Sequence, residues 1–272
     1  MKREVLVSNI KQKKSLLCVG LDTDIRKIPE FLIEEYDNPV LEFNKRIIEA
    51  TSKYAVAYKL NTAFYEAQGV MGWKNLESTI KLIPDDIFII ADAKRADIGN
   101  TSSMYARAFF ENMDTDAVTV APYMGVDSVS PFLNYKDKWV ILLALTSNKG
   151  GQDFQYLEIE GKKTKLYEEV LKVSSTWGDD NNMMYVVGAT HPEDFKKIRK
   201  LIPNHFLLVP GIGAQGGDLE GVIRNGVIND YGLLINSSRG IIFASDSRDF
   251  AEAAAQKSRG LCEQMNKFID FK

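Results

Sequence analysis

The sequence has few of the residues on which disulfide-rich folds and metal sites depend. Its 272 residues include two cysteines, Cys18 and Cys262, at opposite ends of the chain, so a disulfide framework is not expected. The two histidines, His191 and His205, lack metal-ligand spacing, and we expect no zinc site. The sequence also lacks a Walker loop, a nucleophile elbow and a cofactor-lysine motif.

Excess charge and long apolar runs are missing as well. A net charge of −3 without a basic stripe argues against a nucleic-acid binder. The basic amino terminus is not followed by an apolar segment, and no run is long enough to span a membrane. We therefore expect a cytoplasmic protein without nucleic-acid or membrane partners. Because no linker or low-complexity tract interrupts the chain, residues 1–272 are expected to form one domain.

The sequence does contain eight short apolar runs separated by amphipathic, helix-like stretches. The runs are apolar almost throughout, which is typical of parallel strands that are covered on both faces. This pattern predicts an α/β fold, a (β/α)8 TIM barrel of roughly the usual 250 residues. An open doubly wound sheet is the alternative. The runs are Ser15–Leu21, Tyr54–Leu60, Asp86–Asp92, Asp116–Pro122, Trp139–Leu145, Met184–Thr190, His205–Gly211 and Gly232–Ser238.

A polar segment, "GQDFQYLEIEGKKTKLYEEV" (residues 151–170), follows the fifth run. Its length and polarity set it apart from the short connections elsewhere in the chain. We interpret it as a lid or a hairpin.

The strand ends carry charged and polar side chains, and in TIM barrels the chemistry lies at these ends. Asp92 and Lys94 are two residues apart, so an extended backbone would direct both to one face. An isolated pair of this kind is more often a structural ion pair. Lys59 stands at the same level on the neighbouring strand, and two buried lysines beside a carboxylate indicate a functional site. The polar residues at the first three ends are Asp22, Lys59, Asn61, Asp92, Lys94 and Asp97.

The segment "DIGNTS" after the third strand predicts the start of a helix, with Asn100 or Thr101 as its cap. Asp97, taken alone, is also more often a cap than a catalytic group.

The last two strand ends predict a phosphate site. The segment "PGIGAQGGD" (Pro210–Asp218) has glycines that let backbone N–H groups approach a ligand, and Arg239 with Gly240 follows the eighth strand. The loops after strands seven and eight are where TIM barrels bind phosphate.

Together, "YKLN", "DAKRADIGNT", "PGIGAQGGD" and "SSRGI" resemble the orotidine 5′-phosphate decarboxylase family, in its longer bacterial branch (type 2). The resemblance runs from Asp22 to Arg239. Ala96 stands where glycine is frequent in this branch. The resemblance implies a carboxy-lyase that converts orotidine 5′-phosphate to uridine 5′-phosphate and CO2, the last step of de novo UMP biosynthesis, and a homodimer with shared active sites.

The resemblance also implies residue roles. Lys59, Asp92, Lys94 and the partner chain's Asp97 would form an alternating charged array in which Lys94 donates the proton. Asp22, with Lys59 and the partner chain's Thr101, would bind the ribose. Ser147 would contact the pyrimidine, and the loop that holds Gln215 would close over the phosphate. The substrate-binding set is Asp22, Asn61, Ile98, Thr101, Ser147, Pro210, Gln215, Arg239 and Gly240.

The residue types suit a decarboxylation that needs no cofactor. Decarboxylases commonly use a pyridoxal or thiamine group as an electron sink, and the sequence has no motif for either. Asp92 could instead oppose the substrate carboxylate while the Lys94 ammonium stabilises and protonates the carbanion. We therefore expect no cofactor and no metal.

Three alternatives remain. A Mg²⁺-dependent sugar-phosphate lyase of the same barrel group would carry an acidic residue near the end of the second strand, where this sequence has "YKLN". A Schiff-base enzyme would need a neutral lysine, which flanking carboxylates disfavour. The third alternative is a phosphate-ligand binding protein without activity.

Overall fold

A computed structural model describes residues 1–212 and 217–271. Eight parallel strands close into a barrel, which confirms the predicted (β/α)8 fold and excludes the open sheet. These strands are β1 (Leu17–Gly20), β2 (Ala57–Asn61), β3 (Phe88–Arg95), β4 (Ala117–Val120), β5 (Trp139–Leu145), β8 (Met183–Val187), β9 (Leu207–Pro210) and β10 (Leu233–Ser237). Their order around the barrel is β1-β10-β9-β8-β5-β4-β3-β2.

Helices connect the strands and lie between them in the chain. They are α1 (Arg3–Lys13), α2 (Glu30–Glu35), α3 (Pro39–Thr51), α4 (Thr62–Glu66), α5 (Gly69–Leu82), α6 (Gly99–Arg107), α7 (Val126–Leu133), α8 (Leu166–Ser174), α9 (Asp194–Leu201), α10 (Leu219–Gly226), α11 (Arg239–Ile242) and α12 (Phe250–Met265). Within the described residues, none of them is both long and apolar enough to cross a membrane.

The chain comprises two compact units. The first contains Glu4–Ala93 and Asn236–Lys272, and the second contains Met1–Arg3 and Lys94–Ile235. The organisation of the whole chain as one domain stays a prediction.

In the first unit, β1, β2 and β3 lie side by side in parallel. Cys18 pairs with Ala57, and Asn61 pairs with Asp92, so the polar ends of β2 and β3 are in register. Cys18 is fully buried and its thiol is free, as its apolar surroundings in the sequence predict. The unit therefore brings the ends of three strands to one level.

Helix α3 covers these strands because its apolar residues recur on one face. Asn38 caps the helix by accepting a hydrogen bond from the Leu41 N–H at 3.2 Å, and Pro39 occupies the first turn. Phe43 of α3 stacks on Phe250 of α12 with ring centroids 5.0 Å apart. This aromatic contact joins the two helices that flank the strands of the first unit.

In the second unit, β4, β5, β8 and β9 are parallel neighbours. Trp139 and Leu142 of β5 are fully or nearly fully buried, which fits the continuous apolar run of that strand. The register of β5 shifts between Leu143 and Leu145. This irregularity lies immediately before the loop that carries Ser147.

The polar segment after β5 forms a short antiparallel hairpin, β6 (Glu158–Ile159) and β7 (Thr164–Lys165). The hairpin was one of the two predicted forms. Helix α8 begins directly after it, and the Lys165 N–H donates to Glu168 Oε2 at 2.9 Å. The predicted insertion thus ends in a regular barrel helix.

Candidate active site

The most buried charged group of the first unit is Lys59 at the end of β2. Its Nζ lies 3.0 Å from Asp92 Oδ2 and 3.2 Å from Asp22 Oδ1, and its side chain is 6% exposed. Lys59 pairs in register with Ile90, so its side chain reaches forward to Asp92, which lies opposite Asn61. The predicted convergence of Lys59 and Asp92 is confirmed, and Asp22 is added to it.

The two carboxylates keep Lys59 charged. Burial alone disfavours the ammonium and lowers its pKa, but the negative charges of Asp22 and Asp92 outweigh burial and raise the pKa above its ordinary value. A protonated lysine at this position supplies hydrogen bonds and positive charge. It is a poor nucleophile, which argues against a Schiff base at Lys59.

A buried polar network positions the loop that holds Asp22. The Tyr65 hydroxyl donates to the Leu21 carbonyl at 3.1 Å, and Asn44 Nδ2 donates to the Tyr65 oxygen at 3.1 Å. Thr23 donates to Asn44 Oδ1 on the other side of Asp22. Since Leu21 and Thr23 are both tied to this network, the backbone around Asp22 is held from two sides.

Arg239 lines the same cavity as Asp22. The cavity has a volume of about 390 Å³ and its walls are Asp22, Asp24, Lys27, Phe64, Arg239 and Phe243. A Cβ at Gly20 would lie 1.8 Å from Ser238 Oγ, so only glycine lets the segment before Arg239 pass this close to β1. The structure thus brings two of the predicted site residues, Asp22 and Arg239, to one cavity.

The backbone at Lys94 departs from the sequence prediction. Lys94 has a φ of +47°, which places it in the left-handed region. The backbone at Lys94 is therefore not extended, contrary to the sequence prediction, and a shared direction of the Asp92 and Lys94 side chains stays a prediction. Asp92 is buried and Lys94 is exposed. The Lys94 N–H donates to Thr119 Oγ1 at 2.9 Å, which fixes this residue against β4.

The start of helix α6 also differs from the prediction. Ile98, not Asn100 or Thr101, is the N-cap residue, and no side chain caps the helix. Asp97 Oδ1 instead accepts a hydrogen bond from the Ile98 N–H at 2.8 Å. The predicted caps are wrong because the helix begins at Gly99, two residues before the start that an Asn100 cap predicts and three before the start that a Thr101 cap predicts. The φ of +52° at Gly99 suits this turn. Ile98 and Thr101 are exposed.

Ser147 lies in the loop after β5, which is held by a residue that the sequence did not single out. Gln155 Oε1 accepts from the Thr146 N–H at 2.8 Å, and Gln155 Nε2 donates to Thr146 Oγ1 at 2.9 Å. On the other side, a Cβ at Gly188 would lie 2.7 Å from the Ser147 backbone. The polar insertion therefore contributes an anchor for the Ser147 loop.

The remaining predicted residues lie at other strand ends. Pro210 is the last residue of β9 and is half-buried, and Gly240 is exposed in α11. Asn61 Oδ1 accepts from the Ala63 N–H at 3.2 Å and caps α4. Gln215, Gly213 and Gly216 lie outside the described residues. Gly211 precedes this gap and Gly217 follows it, and the Gly217 N–H donates to the Gly211 carbonyl at 3.2 Å.

Among the described residues, the cavity that holds Asp22 and Arg239 is lined by neither histidine. Both His205 nitrogens are buried and lack a hydrogen-bond partner, and burial lowers the pKa of this imidazole. Across residues 1–212 and 217–271, no cluster of three or more His, Cys, Asp or Glu side chains could hold a metal ion.

Several residues that line the cavity are not among the site residues predicted from the sequence. Lys27, Phe64 and Phe243 line it beside Asp22 and Arg239. The only sequence signal was their position shortly after a strand end, which does not indicate where their side chains lie.

A closed parallel barrel with a charge-paired lysine and a cavity lined by charged side chains after its strand ends defines a TIM-barrel enzyme. Residues 15–254 match the model of the Orotidine 5'-phosphate decarboxylase / HUMPS family, and the chain belongs to this family. It is 58% identical over 272 residues to the orotidine 5'-phosphate decarboxylase of Phocaeicola vulgatus, covering 99% of both chains. It is 56% identical to that of Flavobacterium johnsoniae, covering 100% of both. The chain is accordingly a carboxy-lyase.

Solved structures agree with this assignment. The OMP decarboxylase of Leishmania donovani has a TM-score of 0.84 and 38% identity, with 98% of this chain and 99% of that chain covered. A putative orotidine-monophosphate-decarboxylase from Toxoplasma gondii has a TM-score of 0.88 and 36% identity, with 97% and 96% covered.

Proposed function

We propose that the protein decarboxylates orotidine 5′-phosphate to uridine 5′-phosphate and CO2, without a cofactor, through an array of Lys59, Asp92, Lys94 and the partner chain's Asp97. The single observation that carries this mechanism is the buried Lys59 ammonium held between Asp22 and Asp92. A desolvated charge set of this kind is costly unless a ligand or reaction uses it.

In this mechanism the C6–carboxylate bond breaks, CO2 leaves, and the electron pair stays on C6. Asp92 faces the substrate carboxylate, so departure of CO2 relieves repulsion between two negative charges. The Lys94 ammonium stabilises the developing carbanion and then transfers a proton from Nζ to C6. The neutral Lys94 amine regains its proton from water after the product leaves.

Binding groups away from C6 organise these charges. Asp22 binds ribose hydroxyls, with Lys59 and the partner chain's Thr101 beside it, and Asn61 and Ile98 complete that end of the site. Ser147 contacts the pyrimidine, and Pro210 lines the pocket. Arg239, Gly240 and Gln215 bind the phosphate. Binding energy from the phosphate can be used to close the site over the reacting atoms.

We also propose that the chain acts as a homodimer. Several large apolar side chains are exposed just before and along α6, and just before and at the start of α7. These two helices pack together through the Ser102 hydroxyl, which donates to the Ser128 carbonyl at 2.9 Å. A second copy would cover this surface next to Asp97 and Thr101. The exposed residues are Ile98, Met104, Tyr123, Met124 and Val126.

The decisive experiment follows the loss of orotidine 5′-phosphate absorbance and the appearance of uridine 5′-phosphate in the presence of excess chelator. We expect turnover under these conditions. Turnover only after Mg²⁺ is added, and only with a sugar phosphate, would favour the Mg²⁺-dependent lyase. Nucleotide binding without any turnover would favour the binding protein.

A further inference from the structure

The cavity between Asp22 and Arg239 contains a second cation. Lys27 lies three residues after Asp24 in the loop that follows β1, and both residues line the cavity with Arg239. None of the roles assigned above uses Lys27. The charged groups around the cavity indicate that the Lys27 side chain is suited to bind an anion.

Both carboxylates in the cavity walls already have cationic partners. Asp22 is paired with Lys59 at 3.2 Å. Asp24 accepts two hydrogen bonds from the Arg26 guanidinium, each 2.9 Å long, and the pKa of Asp24 is lowered chiefly by this contact. By contrast, Lys27 and Arg239 form no ion pair with any carboxylate of the described residues. Lys59 is shared between Asp22 and Asp92, so four cations (Arg26, Lys27, Lys59 and Arg239) stand against three carboxylates (Asp22, Asp24 and Asp92), and the net charge of this set is positive.

The loop geometry holds Lys27 in this place. The Lys27 N–H donates to the Asp24 carbonyl at 2.9 Å, and the Arg26 N–H donates to Asp24 Oδ1 at 3.1 Å. Ile28, the next residue, is buried and anchors the chain. The turn is closed by its own backbone and side chain, so it needs no ligand to form.

The Lys27 ammonium lies beside the segment that starts with Arg239. Its Nζ is 6.0 Å from the centre of the Phe243 ring, and the Phe243 N–H donates to the Arg239 carbonyl at 3.2 Å. Arginine presents a planar fork to a phosphate, and lysine presents a compact charge on a flexible stem. The two side chains together can contact different oxygens of one dianion.

We propose that Lys27 is a second cationic ligand of the substrate's phosphate group, beside Arg239. This inference rests on the proposed function, because it names a further residue of the same site. Lys27 acts on binding and does not touch the reacting C6 atom.

The test compares Lys27→Ala with Lys45→Ala. Lys45 is an exposed lysine on α3, so the control makes the same change of charge and side chain away from the cavity. We expect Lys27→Ala to raise KM for orotidine 5′-phosphate about tenfold with little change in kcat, as loss of one exposed charge-assisted contact predicts. Lys45→Ala should leave both constants unchanged.

A binding measurement identifies the group that Lys27 contacts. The Kd of uridine 5′-phosphate should rise by a similar factor in Lys27→Ala, and the Kd of uridine, which lacks the phosphate, should not change. Lys27→Arg should restore most of the affinity for the nucleotide. An equal loss for uridine and uridine 5′-phosphate would overturn the assignment, as would wild-type affinity for both.

The outcomes are separable from those of the proposed function. Wild-type turnover of orotidine 5′-phosphate tests the function. If the wild type turns over and Lys27→Ala retains its KM and its Kd for uridine 5′-phosphate, the inference fails and the function stands. If the wild type does not turn over this substrate, the function fails whatever Lys27 binds.

Discussion

Lys94 adopts a backbone conformation that residues with a Cβ seldom occupy. The left-handed region costs a non-glycine residue roughly 1–2 kcal/mol, and such residues cluster at functional sites. Lys94, with its φ of +47°, follows Asp92 by two residues and is held through its N–H by Thr119. The proposed role in proton transfer would account for a lysine at a position that suits glycine better.

Replacement of Lys94 by alanine should abolish most of the activity and leave the fold intact. We expect kcat to fall by at least about 10³-fold, because the variant loses both the positive charge and the proton donor. Steady-state kinetics and circular dichroism would measure the two effects. Lys14→Ala is a matched control, since Lys14 has a φ of +48° and follows α1. A Lys94→Ala enzyme with the wild-type rate would contradict the assigned role.

At position 94, the residue that activity requires should differ from the residue that gives the highest stability. Lys94→Gly removes the Cβ from a left-handed residue, so it should be more stable than Lys94→Ala by about 1 kcal/mol. Urea unfolding of the two inactive variants would measure this difference. If alanine proved as stable as glycine here, the backbone at Lys94 would not be strained in solution.

Cys18 should make the protein less stable at alkaline pH. Burial raises the pKa of the thiol to about 12, whereas an unfolded cysteine titrates near about 8.5. Above the lower value the unfolded chain loses a proton that the folded chain keeps, so stability falls as pH rises toward about 12. Once the thiol of the unfolded chain is fully deprotonated, this group lowers the free energy of unfolding by about 1.4 kcal/mol for each further pH unit.

Free energies of unfolding would test this prediction if they are measured in a reducing agent at several pH values between about 8 and 10.5. This range includes the unfolded pKa of about 8.5. Cys18→Ala should lose stability less steeply with pH than the wild type. Val19→Ala removes apolar volume from the neighbouring buried position and carries no titrating group. It should lower stability by a constant amount and keep the wild-type slope. Equal slopes in all three proteins would contradict the prediction.

At the scale of elements, the sequence predicts the strands well because each one is a short, continuous apolar run. Each of the eight predicted runs overlaps a barrel strand. All the strands except β3 and β5 are shorter than their runs, and β3 continues past its predicted end to Arg95. Apolar residues such as Leu16 and Leu21 are fully buried without belonging to β1. Burial alone therefore extended the predicted strands beyond their hydrogen-bonded ends.

Side-chain positions at the strand ends were harder to predict. The strand pattern indicated that Lys59 and Asp92 converge, and the family resemblance alone placed Asp22 with Lys59. Neither indicated that the backbone turns at Lys94. These features depend on strand register and on a left-handed residue, and neither produces a regular spacing of residue types in the sequence. Lys27 and Gln155 were missed for the same reason, because loop contacts connect residues without regular spacing.

The contact between α4 and α5 depends on Gly72. A Cβ there would lie 1.7 Å from the Tyr65 carbonyl oxygen. Gly72→Ala should therefore push the helices apart and destabilise the protein by about 1–3 kcal/mol. Because the Tyr65 hydroxyl donates to Leu21, next to Asp22, KM should also rise. Thermal unfolding and steady-state kinetics would measure both effects.

Gly260 in α12 is the matched control for this substitution. No atom lies within 4 Å of a Cβ built at Gly260, so Gly260→Ala adds only helix propensity. It should stabilise the protein by roughly 0.5–1 kcal/mol and leave KM unchanged. If Gly72→Ala were also stabilising, the close approach of α4 and α5 would not exist in solution.

At the scale of the whole molecule, the proposed array can be complete only in an assembly. Lys59, Asp92 and Lys94 would come from one chain and Asp97 from a second copy. Apolar side chains exposed near Asp97, including Ile98 and Met104, are consistent with a covered surface. A site shared between two chains therefore predicts a result that differs from the result for a site in which each chain uses its own Asp97.

Two inactive variants should regain activity when their subunits exchange. In a mixed dimer of Lys94→Ala and Asp97→Ala, one site has both wild-type residues and the other has neither. Random exchange makes about half of the dimers mixed, so about one quarter of the wild-type activity should return. Lys94→Ala mixed with Asp92→Ala should regain none, because each site then lacks a residue of its own chain. Absence of recovery in the first mixture, with exchange shown by mass spectrometry of tagged chains, would place Asp97 in the site of its own chain.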